Sequence, residues 1–288
     1  MKVVTLALLL IVISSHVNIA FSYDWAADTE PAYRITLKDG STLIGNINSE
    51  DDTAITFTTI SGLEIVIELE KIDRVKPLSG EIREGRYIRY DPNSTRLLFA
   101  PTARPLKSGQ GYVALYEFYL GFFGIGVGDI ITLGGGFSIF PGLEEQIYYF
   151  APKITPIQYE NLDISAGVIH LGFTGDSDIG AGILYTAGTY GSRTTALTVG
   201  LGWGYLGEEV GDHPVVVLGG EVQLSNSIKL LTENWFPPGT DFSMVSLGIR
   251  FFGENLSTDL GFFVPTGIDG QGAIFFPWVN FVYNFGHN

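Results

Sequence analysis

Between residues 96 and 285 the chain repeats one pattern: apolar stretches of strand length, separated by polar or glycine-containing breaks. Successive side chains of a strand point to opposite faces, so alternation gives each stretch one apolar and one mixed face. In 194–205, Leu197, Val199, Leu201, Trp203 and Tyr205 oppose Ala196, Thr198, Gly200, Gly202 and Gly204. In 242–251, Val245, Leu247, Ile249 and Phe251 oppose Met244, Ser246, Gly248 and Arg250. In 273–285 the odd positions, Ala273 through Phe285, are all apolar or aromatic. The pattern predicts strands at 96–103, 111–126, 130–139, 147–155, 164–172, 179–189, 194–205, 214–224, 228–236, 242–252, 256–264 and 273–285. Tilted strands need about 9–11 residues to cross a membrane, which fits these lengths.

The breaks fall into two sets. Those at Gly128-Asp129, Gly191-Ser192, Ser225–Ser227 and Gly253–Asn255 are tight, and those at 141–146, 174–178, 207–214, 237–241 and 266–272 are longer. The long break at 156–163 stands where a short one is expected. Short turns at one rim and longer loops at the other characterise outer-membrane barrels, with the short ones periplasmic. An even strand count puts both barrel ends on that side.

Residues 33–77 have a different texture, with more charge and shorter strands joined at Asp39-Gly40, Asp51-Asp52 and Ser61-Gly62, all turn-forming pairs. Glu70–Val75 is expected to make one helical turn and a closing strand. Residues 78–95, with Pro, Gly and mixed charge, are expected to be a linker. The run YRITLKDGSTLIGNINSEDDTAITFTTISGLEIVIELEKIDRV resembles the small SH3-like or Sm-like barrels of envelope proteins. The expected fold class is thus all-β: a transmembrane antiparallel β-barrel of about twelve strands over 96–288, preceded by that small barrel.

Composition agrees. Charged residues are 16% of the chain, aromatics 13%, and glycines number 37, against about 25% charge in ordinary soluble domains. The start supplies the compartment: Met1-Lys2, an apolar run from Val3 to Ile13, and a polar stretch ending Ala20-Phe21-Ser22 read as a signal peptide over 1–22. With no cysteine, burial and strand pairing must hold the fold. A net charge of −15 argues against nucleic acid as a partner.

Alternation assigns most strand charges to the lumen: Glu117, Lys153, His170, Glu221, Lys229, Glu233, Arg250 and Asp259. They line a polar pore, or they pair with one another inside a closed barrel, for example Arg250 with Asp259 or Glu233. Buried unpaired charge is costly, so mixed signs on neighbouring strands favour pairing. The inward positions Ile274, Phe276 and Trp278 also argue against a wide aqueous channel. Gly134–Gly136 and Gly200, Gly202 and Gly204 lack the spacing of a phosphate-binding loop, and no cofactor or metal motif is present. His170 is the sole histidine in an expected strand, and no GxSxG sequence occurs. A lipid-active serine enzyme of the outer-membrane phospholipase kind would need it as base. The expectation is that the chain is not an enzyme.

The stretches STRLLFAPTARPLKSGQGYVALYEFYLGFFGIGVGDIITLGGGFSIFPG and SLGIRFFGENLSTDLGFFVP resemble a Bacteroidetes-type family of outer-membrane proteins that pairs an N-terminal small barrel with a glycine- and aromatic-rich barrel. The resemblance implies location, with outer-membrane lipid and the barrel-assembly machinery as partners, and no substrate. The assembly signal normally ends on an aromatic residue, whereas Phe285 is followed here by Gly286-His287-Asn288. Two roles remain open: a narrow porin-like channel, or an anchor that presents 33–77 to a periplasmic protein or peptidoglycan.

Overall fold

The computed structural model describes residues 31–175, 180–267 and 274–286; the expected signal segment lies outside them. Its first element is a six-stranded antiparallel sheet built from β1 (Pro31–Leu37), β2 (Thr42–Glu50), β3 (Ala54–Thr59), β4 (Glu64–Glu68), β5 (Ile72–Arg83) and β6 (Arg86–Arg89), in the order β4-β3-β2-β1-β5-β6. The expected turns close its hairpins. Gly40 and Gly62 take φ of 88° and 82°, the left-handed region that glycine enters without a Cβ clash. Asp51 Oδ1 accepts bonds from the backbone N–H of Thr53 and Ala54 at 2.7 and 2.9 Å. One 3-10 turn, Leu69–Lys71, precedes β5, which returns to pair with β1. Ile35, Ile55, Phe57 and Ile67 are buried together, each contributing about 1.5–3 kcal/mol of transfer free energy. The linker expected over 78–95 is largely strand: β5 runs on to Arg83 and turns into β6.

The second element is a closed antiparallel barrel of twelve strand positions. Its strands are β7 (Gly111–Tyr116), β8 (Leu120–Val127), β9 (Ile131–Ser138), β10 (Ile147–Phe150), β11 (Lys153–Tyr159), β12 (Leu162–Phe173), β13 (Ala181–Gly191), β14 (Thr195–Leu206), β16 (Val215–Ser225), β17 (Ile228–Phe236), β18 (Ser243–Phe252), β19 (Leu256–Thr266) and β20 (Phe276–Phe285). β10 and β11 share one position between β9 and β12, interrupted at Ala151-Pro152, because proline has no N–H for the ladder. β15 (Glu209–Val210) is a short extension on β14. β20 pairs with β7, Tyr283 opposite Val113, and closes the sheet.

Two expected boundaries are corrected, and their errors cancel in the count. The stretch 96–103 is not a strand of the wall: its only pairing is an isolated bridge between Arg96 and Pro101. The stretch 111–126 is a hairpin, β7 and β8, turning at Glu117 and Phe118 with φ of 48° and 63°. Neither residue is glycine or asparagine, so the usual turn signal is missing there. The apparent long break at 156–163 also disappears, since β11 and β12 meet at Tyr159 and Leu162.

One exposed residue from each of ten strand positions shows the outer surface: Val113, Phe123, Leu133, Ile154, Leu184, Leu197, Leu218, Leu247, Leu260 and Phe281 all face outward. Inside, Lys229, Glu233, Arg250, Asp259, Asn280 and Asn284 are fully buried. An apolar outside around a polar inside is what lipid requires of an outer-membrane barrel.

The small sheet meets the barrel at its short-turn end. Glu254, between β18 and β19, accepts Arg34 Nη2 at 2.6 Å and Lys76 Nζ at 2.9 Å. Asn226, between β16 and β17, accepts the Arg89 N–H at 3.0 Å and donates to the Tyr87 carbonyl at 2.7 Å. Lys76 and then Arg34 hold the Glu254 carboxyl at about 2, below its ordinary 4.5. A depressed carboxylate pKa contributes stability above the ordinary value and loses it as pH falls through the folded one. Docking of the sheet should therefore weaken as pH drops from about 4.5 toward 2, and in Glu254→Gln the weakened docking should no longer vary over that window. Limited proteolysis at graded pH reads this. An unchanged pH profile in the variant would remove Glu254 from the contact.

Candidate functional site

The residues expected to form the first strand fill the lumen instead. The chain leaves β6 at Arg89, and from Asp91 to Leu106 nearly every side chain is buried. The segment folds back on itself: the Leu97 N–H donates to the Ala100 carbonyl at 2.9 Å, and the Thr102 N–H to the Thr95 carbonyl at 3.0 Å. This internal hairpin has its tip at 97–100.

Most of the lumen charges named from sequence hold it there. Arg250 donates to Asp259 through Nε and Nη2, at 2.6 and 2.8 Å, a two-point contact that suits the planar guanidinium. Its Nη1 reaches Asp91 at 2.9 Å and the Asn93 carbonyl at 2.6 Å, and Nη2 reaches the Leu97 carbonyl at 2.6 Å. Lys229 bridges Asp91 and Glu221, each at 3.2 Å, and Glu221 also pairs with Arg104. Three cations thus meet three carboxylates. Glu233 does not meet Arg250; its Oε2 accepts the N–H groups of Phe99 and Ala100 at 2.8 and 2.9 Å, and Oε1 accepts Trp235 Nε1 at 2.7 Å. Lys153 donates to the carbonyls of Thr102 and Arg104 at 2.9 and 2.6 Å. Thr155, Thr189 and Thr132 bond the backbone of Ala103 and Leu106. The wall supplies the partners that an irregular buried backbone cannot find in itself.

Two sequence-derived positions are corrected. Glu117 lies in the β7–β8 turn, half-buried, where its Oε1 accepts the Val279 N–H at 2.8 Å. His170 faces outward, because it stands opposite Phe150 and Gly182, on the face that Phe150 and Tyr205 share. Its Nδ1 is 2.7 Å from the Tyr205 hydroxyl, and its ring stacks on Tyr205 and lies beside Tyr148. The row sits near the long-loop end, where an aromatic girdle is expected.

Sequence reasoning missed Asp91, Arg96 and Arg104, all in the hairpin. Arg96 is buried among Tyr112, Tyr116 and Phe122, its guanidinium carbon 4.3–5.3 Å from the three ring centroids, and it donates to both tyrosine hydroxyls. The sequence offered only a weak signal: Pro101 has no N–H for a ladder, yet Pro156, Pro265 and Pro277 all stand in wall strands. On the long-loop side of the hairpin, Phe99 and Tyr116 pack on Trp278, and Phe122 stacks on Tyr149.

Glycines let the hairpin approach the wall. A Cβ at Gly126 would overlap the carbonyl oxygens of Leu106 and Lys107, and one at Gly248 would meet the Leu98 side chain. Leu98 can shift; the backbone at Gly126 cannot. Gly126→Ala should therefore destabilise the folded barrel by about 1–3 kcal/mol, as overpacking does, measured by urea unfolding in detergent. A change within error would show that the segment is loosely held.

No family model matches the chain, and no curated protein matches it in sequence. In fold it is similar to outer-membrane proteins of Vibrio cholerae. A loop L8 deletion mutant of OmpT is 14% identical, with 89% of this chain and 97% of that one covered and a TM-score of 0.35. Outer-membrane-expressed OmpT is 11% identical, with 88% and 95% covered and the same TM-score. The expectation that the chain is not an enzyme is withdrawn in the face of these OmpT neighbours. Likeness at this level assigns no activity and excludes none.

Proposed function

We propose that the chain is an outer-membrane anchor whose barrel, closed by its own 91–106 hairpin, holds the β1–β6 sheet on the periplasmic side. The observation that carries this reading is continuity: Asp91, two residues beyond β6, is fixed in the lumen by Arg250 and Lys229. The sheet is thereby tied to the wall from within as well as at the rim. Its order, with β5 returning beside β1, supports reading it as an SH3-like or Sm-like module. Residues 1–22 would direct export and be removed, and Tyr283 and Phe285, exposed on β20, would present the signal to the assembly machinery. The partner would be a periplasmic protein or peptidoglycan.

A protease-accessibility experiment on whole cells tests the orientation. The β1–β6 sheet should resist added protease until the outer membrane is permeabilised, while the long loops are cut beforehand. Cleavage within the sheet on intact cells would overturn the proposal. The narrow-channel reading is less well supported, because backbone and side chains occupy the lumen. Steady conductance of the intact chain in planar bilayers would restore it.

A further inference from the structure

The buried charges of the lumen do not balance. Among the described residues, five buried basic side chains stand there, Arg96, Arg104, Lys153, Lys229 and Arg250, against four carboxyl groups, Asp91, Glu221, Glu233 and Asp259. Arg104, Lys229 and Arg250 are matched by Glu221, Asp91 and Asp259. Glu233 is held by N–H groups. That leaves Arg96 and Lys153, 7% and 5% exposed, with no ion pair to a described carboxylate. Asp163, half-buried near the rim, pairs with neither.

These two cations line the same cavity, of about 50 Å³, together with Thr95, Thr132, Tyr112 and Tyr185. Arg96 Nε is buried with no hydrogen-bond partner. Lys153 gives two of its three protons to carbonyls, leaving one. A buried charge without a counter-charge is strongly disfavoured, and a group that removes the deficit is held tightly.

We propose that the cavity between Arg96 and Lys153 binds one small monovalent inorganic anion of halide size, enclosed when the hairpin seats in the barrel. One negative charge brings the four carboxylates level with the five cations. The ion would receive Arg96 Nε–H and the remaining Lys153 proton. It would be a structural part of the hairpin's seat, independent of what the anchored sheet binds.

The test uses the full chain in detergent. Crystals grown in sodium bromide should show an anomalous peak between Arg96 and Lys153. Unfolding followed by gel mobility should occur several degrees higher in sodium chloride than in sodium gluconate of equal ionic strength. Lys153→Met, which keeps the stem and removes the charge, should abolish that difference. Water in place of a bromide peak, or a chloride dependence that persists in Lys153→Met, would overturn the proposal. Should the variant fail to fold, the bromide peak in the unaltered chain decides alone.

Discussion

Arg250→Met is expected to destabilise the folded barrel by about 3–5 kcal/mol, the usual effect of breaking a buried pair from one side. The size follows from what is left behind. Asp259 keeps only the Asn280 side-chain amide at 2.8 Å and Asp91 keeps Lys229, while the carbonyls of Asn93 and Leu97 lose a charged donor. Methionine roughly preserves the volume, so little of the effect comes from packing. Urea unfolding in detergent, read by the heat-dependent mobility shift, measures it. The double variant Arg250→Met/Asp259→Leu should recover part of the loss, since it removes one of the stranded charges and the two sites are coupled. A single-variant effect below about 1 kcal/mol, the range of exposed pairs, would mean that water reaches the network.

Exchanging residues 92–105 for a glycine-serine segment of equal length should open the lumen. Such a segment lacks the Leu97 and Leu98 side chains that fill it, and it cannot pay the ordering entropy that the hairpin recovers through its bonds to Glu233, Lys153 and Arg250. Planar bilayers should then show steady conductance, where the unaltered chain should show none. The wall charges that held the hairpin are three cations, Lys153, Lys229 and Arg250, and three anions, Glu221, Glu233 and Asp259. Selectivity between small cations and anions should accordingly be weak. No conductance in the exchanged chain would place the barrier elsewhere, in the aromatic layer around Trp278, Tyr116 and Phe122.

Much of the wall is legible from residue alternation. Val245, Leu247, Ile249 and Phe251 face out and Arg250 faces in because neighbours on a strand point oppositely and lipid rejects charge at mid-depth. The same argument failed for His170. There the row Tyr148, His170 and Tyr205 reaches the interface, where polar and aromatic groups are tolerated outside, so polarity no longer marks the lumen face. It failed also at Glu117, where a left-handed turn forms on residues that do not announce one. There the β20 backbone bonds Glu117 through both its N–H and its Oε1.

By itself, then, the sequence determined the all-β class, most strand faces, the short and long ends, and six of the eight charges placed inside, because each depends on local periodicity. Only the tertiary structure decided that 91–106 lies inside the barrel and that Arg250 and Glu233 grip it separately. A four-residue apolar run such as Leu97–Ala100 is as stable in a closed lumen as in lipid. What separates the two is whether backbone groups find partners, and those partners, Glu233, Arg250, Lys153 and Thr155, lie 49 to 157 residues away along the chain.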